Sequence, residues 1–153
     1  MCTIWYMRTN CTIEVDAPVG VVWEIFTDVE RWPEWTASVT SVTALDGSEL
    51  EVGRRYEIRQ PRLPRLIWEV THLDAGTTWT WRQRSPGAST AATHEVVDLG
   101  AARSLVRQRL EQSGPIGTLT GRLTQRLTRR YLDLEAKGLK ARAEVGHARA
   151  TSA

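Results

Sequence analysis

The hydrophobic period of this chain changes once, close to residue 113, and that change limits its folds more than any other feature. Upstream of it, short segments follow one another: 37–46 with Val39 and Val42, then Val52–Gln60, Leu66–Leu73, Thr77–Arg84, Thr90–Leu99 and Ser104–Glu111, with apolar and polar residues alternating in several of them. Turn signals separate them, including Asp46-Gly47, residues 61–64 with two prolines, residues 74–76, Pro86-Gly87 and Gly100. Such spacing predicts an antiparallel meander. Downstream, Ile116, Leu119, Leu123, Leu127, Tyr131, Leu134, Gly138, Ala141 and Val145 follow one another in steps of three and four. That stripe predicts a single long amphipathic helix, widened by Leu132 and Leu139. A sheet with one apolar face must be covered, and this helix is the only element large enough.

The N-terminal part supplies a further strand and a shorter helix. Residues 11–16 alternate as a strand does. Val19, Val22, Trp23 and Phe26 then share one helical face over 17–27. Asp16 stands where a cap belongs and Pro18 where a first-turn proline belongs. Directly after comes Asp28–Thr36, with Trp32 and Trp35 around Pro33. Proline blocks further regular helix, and tryptophan is costly to expose. That arrangement suits the mouth or floor of an apolar pocket.

The expected architecture is α+β. A curved antiparallel sheet of about six to seven strands wraps a long C-terminal helix, with short helices after the first strand. Residues 1–10 read as an extension or an added short strand, 11–145 as the domain, and 146–153 as a frayed tail.

Composition narrows the function. At 153 residues the chain is one domain with a real core. A net charge of +2 is too small to argue for nucleic acid. Of the 20 basic residues 18 are arginine, which a coding bias explains as well as any function. Seven tryptophans against one phenylalanine is the unusual figure. Indole offers a large flat apolar face with one N–H, equally suited to a core or to a ligand wall. Cys2 and Cys11 form no disulfide framework, which predicts a reducing, cytoplasmic setting. No apolar run approaches a membrane span, and residues 1–10 lack a signal-peptide layout.

The chain resembles the START/Bet v 1-like helix-grip superfamily, in particular its polyketide cyclase/dehydrase-like branch. The matching pieces are Ile13 to Pro18 leading into Val22-Trp23, then Asp28 to Trp35, Val52-Gly53, His94 in the penultimate strand, and residues 114–117 opening the helix that ends at 134–142. The resemblance covers about residues 11–145. It implies the helix-grip fold and a cavity for a hydrophobic small molecule. It leaves the chemistry open, since the superfamily holds cyclases, dehydratases, lipid carriers, receptors and co-chaperones.

Alternation places His94 and Val96 on one side of their strand, and Gln108 opposite His94 across the last hairpin. Trp81 falls close to His94 across the preceding hairpin. A row Trp81–His94–Gln108 is the expected cavity wall. Histidine titrates near neutrality and can exchange protons with an enolising substrate, so His94 is the candidate shuttle. The bland alternative is a structural histidine satisfied by a neighbour. Tyr56 shares a face with Ile58 and Gln60, and its phenol could hold a carbonyl; otherwise it is an amphipathic core tyrosine. Trp35, Trp68, Trp79 and Trp81 could stack on a flat guest or simply pack. Leu119 and Leu123 are expected to face the cavity. Thr120, Thr124 and Thr128, beside them, read as a solvated helix edge more readily than as lining. Arg122, Arg126, Arg129 and Arg130 read as a solvated basic face, without membrane or nucleic-acid contact. Glu57, Glu69 and Glu95 fall on the outer sheet face.

There is no phosphate loop and no nucleophile elbow. His72, His94 and His147 lack metal-ligand spacing, so no metal site and no cofactor are expected. The leading expectation is binding of a hydrophobic, cyclic or polyketide-like small molecule, with cofactor-independent cyclase or dehydratase activity implied by the resemblance. A non-catalytic carrier or sensor with the same cavity is the second reading. An interaction module with a filled interior is the third. Either a monomer or a homodimer is compatible with the sequence.

Overall fold

The computed structural model describes residues 6–153. Seven strands form one antiparallel sheet in the order β1-β7-β6-β5-β4-β3-β2. They are β1 (Tyr6–Val15), β2 (Ser41–Ala44), β3 (Arg55–Arg59), β4 (Leu66–Asp74), β5 (Thr78–Ser85), β6 (Ala88–Gly100) and β7 (Arg103–Ser113). Between β1 and β2 lie α1 (Val19–Thr27) and a 3₁₀ turn, Val29–Glu34. The C-terminal part is α2 (Pro115–Leu123) followed by α3 (Gln125–Thr151). This is the expected helix-grip architecture. The strand that alternation placed at 11–16 is longer, because residues 6–10 pair with 109–113 of β7. The rest of the extension, residues 1–5, lies outside the described residues.

Two local expectations change. Asp16 does not cap α1. Its backbone N–H donates to Glu144 Oε1 at 3.0 Å and its carboxylate pairs with Arg103 at 3.4 Å. Pro18 itself holds the cap position, its carbonyl accepting from the Val21 and Val22 amides. The single C-terminal helix is instead two. At Thr124 the side-chain hydroxyl donates to Thr120 O at 2.8 Å, and φ and ψ of −100° and 9° end the regular turn. Hydroxyls that bond back to the preceding turn compete with the helical ladder and bend it. At its other end α3 runs on past Gly146 to Thr151, where the pattern predicted fraying.

The core lies between the sheet and its helices. Val15, Val22, Phe26, Tyr56, Val70, Trp79, Val106 and Leu139 are each at most 1% exposed. The buried side of α3 is Leu132, Glu135, Ala136, Leu139 and Ala143. Of the predicted stripe, Tyr131 and the widening residues Leu132 and Leu139 are buried, whereas Leu134, Gly138, Ala141 and Val145 lie about one position further round. Val145 is 51% exposed. Gly138 faces the tryptophan turn closely enough that a Cβ there would overlap Trp35 O. The helix therefore rests directly on backbone at that point.

Candidate functional site

Register decides which side chains face inward. Trp79 pairs with His94, His94 with Gln108, and Gln108 with Cys11, making one row across four strands. The residue opposite His94 is thus Trp79, not Trp81, which pairs with Ala92. The β5–β6 hairpin closes at Ser85↔Ala88, and that closure fixes the pairing. The His94 imidazole stacks on Trp79, with centroids 3.9 Å apart and planes 16° apart. Phe26, Trp32 and Trp81 present their rings to it at 5.0, 5.7 and 5.8 Å. Enclosed by aromatics, His94 is 3% exposed, and burial drives its pKa down to about 3. A histidine there is neutral across the physiological range. Its Nδ1 has no partner among the described residues.

The helix contributes a residue that the sequence reading did not identify. Glu135 of α3 is 7% exposed and aimed at the sheet. Gln108 Nε2 donates to Glu135 Oε2 at 2.9 Å, and Ser38 Oγ donates to Glu135 Oε1 at 3.1 Å. Thr36 Oγ1 lies 2.9 Å from Ser38 Oγ and extends the network. Loss of water around the carboxyl outweighs these two donors, and its pKa rises to about 7. Gln108 therefore sits between a neutral imidazole and a carboxyl that titrates near neutrality. Its own Oε1 has no partner among the described residues. A signal for Glu135 existed: Leu132, Ala136, Leu139 and Ala143 form an apolar line with one carboxylate inside it, where a charge is rarely placed without purpose.

These groups border a hollow of about 300 Å³. The inner wall includes Trp32, Trp68, Trp81, His94, Gln108 and Glu135. Toward solvent it is framed by Leu63 and Pro64 of the β3–β4 loop, Ser85 of the β5–β6 turn, and Ile116 of α2. The start of α2 hangs on that turn, since the Ile116 and Gly117 amides both donate to Gly87 O, at 3.0 and 3.3 Å. Gly87 has a φ of 71°, a conformation that favours glycine. The interior is not packed solid.

Other predicted site residues fall elsewhere. Tyr56 is fully buried, but its hydroxyl donates to Glu49 O at 3.0 Å, and it is not part of the wall of the hollow. Trp79 supports His94 from beneath rather than lining the space. Trp35 packs against Trp32 at 5.3 Å, outside the hollow. Leu119 and Leu123 are 60% and 79% exposed on the outer side of α2. The inner side of that helix is Gly117, Thr118 and Gly121, small enough for close contact with β6 and β7. Thr120, Thr124 and Thr128, expected at a solvated edge, border the hollow, Thr120 exposed and the other two half-buried. Among the described residues no helix is long and apolar enough to cross a membrane.

Comparison with known proteins bears on this geometry. No curated protein matches the sequence. Among solved structures, the Zhui aromatase/cyclase of a Streptomyces species superposes with a TM-score of 0.74 at 16% identity, over 91% of this chain and 94% of that one. A START superfamily protein from Mycobacterium smegmatis gives 0.71 at 19% identity, over 90% and 97%. A truncated norcoclaurine synthase from Thalictrum flavum gives 0.72 at 12% identity, over 92% and 94%. Such identities speak for the fold. A profile described as polyketide cyclase / dehydrase and lipid transport matches residues 8–144. With nearly the whole domain inside that match, the chain belongs to the polyketide cyclase / dehydrase and lipid transport family.

Proposed function

We propose that the protein binds a compact hydrophobic, cyclic or polyketide-like molecule in the hollow and promotes its cyclisation or dehydration without a cofactor. The observation that carries this reading is Glu135, a carboxyl with a pKa near 7 in an aromatic chamber, held by Gln108 and Ser38. A general acid–base group is most effective when its pKa lies near the working pH. In the ionised form Glu135 removes a proton from a carbon flanked by carbonyls. The enolate carbon then bonds to a second carbonyl carbon of the same chain, whose oxygen takes up the proton. In dehydration Glu135 removes the remaining proton of the carbon it first deprotonated. The C–O bond of the new hydroxyl breaks as the C=C bond forms, and the carboxyl passes that proton to the departing hydroxyl, which leaves as water. Gln108 Oε1 and His94 Nδ1 have no partner among the described residues; in this reading Gln108 Oε1 accepts from a hydroxyl of the guest, and His94 Nδ1 bonds an oxygen of the guest according to its tautomer. His94, neutral at any working pH, acts as a hydrogen-bonding group rather than as the proton shuttle its sequence position first suggested. The aromatic walls fold the chain and exclude water, and such positioning supplies much of the rate. A volume of about 300 Å³ lies at the small end of ligand pockets and favours a guest of one or two rings.

The test is turnover of a linear poly-β-ketone thioester by the parent and by Glu135→Gln. Loss of about a hundredfold or more in rate, with guest affinity retained, is the expected result. Unchanged turnover in that variant removes Glu135 from the chemistry. The carrier or sensor reading has one observation in its favour: His94, a buried ionisable group on the inner wall, stays neutral. It prevails if guests bind tightly and neither parent nor variant converts any of them.

A further inference from the structure

The antiparallel topology puts the β3–β4 loop, the β5–β6 turn and the β7–α2 junction at one end of the sheet, around the mouth of the hollow. The three segments that build this end, residues 58–68, 80–91 and 112–132, contain three, two and four arginines, and the acidic residues nearest them, Glu57 and Glu111, pair with Arg59 and Arg65 and with Arg8. Nine of the chain's 18 arginines thus gather there, although the whole protein carries only +2. Arg62, Arg84, Arg122, Arg126, Arg129 and Arg130 make no ion pair among the described residues, whereas Arg54, Arg55 and Arg103 at the other end each do. Tyr131 donates its hydroxyl to Pro61 O, which ties the arginine-bearing start of α3 to the β3–β4 loop.

The same end exposes aliphatic surface. Ile116, Leu119 and Leu123 are 54%, 60% and 79% exposed. In steps of three and four they continue into Arg126 and Arg130, so one outward ridge is apolar over α2 and basic over the first turns of α3. Arg122 flanks the apolar half. A helix with protruding aliphatic side chains beside arginines is the form that lies in a bilayer interface.

We propose that the mouth end is a docking surface for an anionic lipid bilayer, with Ile116, Leu119 and Leu123 in the interface and Arg122, Arg126 and Arg130 against phosphate headgroups. The ridge is convex, and a bilayer accepts protruding side chains without a matching groove. An acidic protein would need such a groove, and for that reason the lipid surface is the favoured occupant. Docking brings the opening of the hollow onto the membrane, so an apolar guest passes between them without crossing water. That last consequence rests on the binding reading above, whereas the docking itself does not.

The test is flotation of the full chain, without guest, with phosphatidylcholine vesicles with and without phosphatidylglycerol. The parent is expected to float with the anionic vesicles and to release at high salt. Arg126→Glu with Arg130→Glu should weaken binding at least about fivefold per arginine. Leu119→Gln with Leu123→Gln should weaken it about tenfold or more. Val52→Gln, at an equally exposed aliphatic residue (61%) in the loop before β3, at the other end, should leave it unchanged. Matching circular dichroism and melting of all variants excludes unfolding as the cause. Failure of the parent to float, or binding only to an acidic acyl carrier protein, overturns the proposal. Retention by the leucine variant also overturns it, since adhesion would then be purely electrostatic. Guest affinity measured separately in vesicle-free buffer reports on the binding reading alone.

Discussion

At the scale of single residues, Glu135 and His94 give this protein a defined pH response. Glu135 remains protonated in the fold up to about pH 7, whereas a free glutamate ionises near 4.5. Its contribution to stability is fully present below pH 4.5 and is lost as pH rises through 7, a change of about 3 kcal/mol. His94 acts with the opposite sign. Its contribution is fully present above pH 6.5 and is lost as pH falls toward 3. Between 4.5 and 6.5 the two slopes cancel. Glu135→Gln keeps the shape and cannot ionise. Denaturant unfolding should show its stability gain over the parent growing by about 3 kcal/mol from pH 4.5 to above pH 7. A pH-independent difference would mean that the carboxylate is ionised inside the fold. Strand residues of the site were legible in the sequence because a period of two leaves only two faces, which is how His94 and Gln108 could be placed opposite one another. Glu135 was not, because a helix offers many directions and the stripe through Leu134 and Gly138, even widened by Leu132 and Leu139, did not mark the carboxylate between them as inward.

At the scale of elements, turn chemistry foretold the sheet well. Seven strands fall where alternation and glycine-bearing turns put them, since each break is a backbone necessity. What patterning missed was the division of the C-terminal helix at Thr124, which depends on a hydroxyl choosing a backbone carbonyl. Leu119 and Leu123 could not be oriented without it. One turn is imperfectly served by its sequence. Ala101 and Ala102, between β6 and β7, both have positive φ, 51° and 55°. A side chain there costs about 1–2 kcal/mol, and the two-residue hairpin turn that needs such angles favours glycine at its second position. Ala102→Gly should stabilise the protein by about 1 kcal/mol in thermal or denaturant unfolding, with the β6–β7 register unchanged. A loss of stability would show that the hairpin does not depend on relief of that strain.

At the scale of the whole molecule, the protein holds open a space that a tighter core would fill. Ala92 lines the hollow beside Trp81 and is 8% exposed. Ala92→Leu puts apolar atoms into that space, and should raise stability by about 1–2 kcal/mol while weakening uptake of any guest. Calorimetric melting and guest titration check the two halves together; a lower melting temperature would mean that the wall has no room there. Charge is distributed as unevenly as volume. The loops at the end opposite the mouth carry Asp16, Asp46, Asp74 and Asp98, while arginine dominates around the opening. Such a molecule has a large permanent electric dipole directed roughly along its strands. Near any negatively charged object, whether a resin bead or a cell envelope, it turns its doorway toward that object before touching it, and it adheres to a cation exchanger more firmly than its formal charge of +2 would forecast.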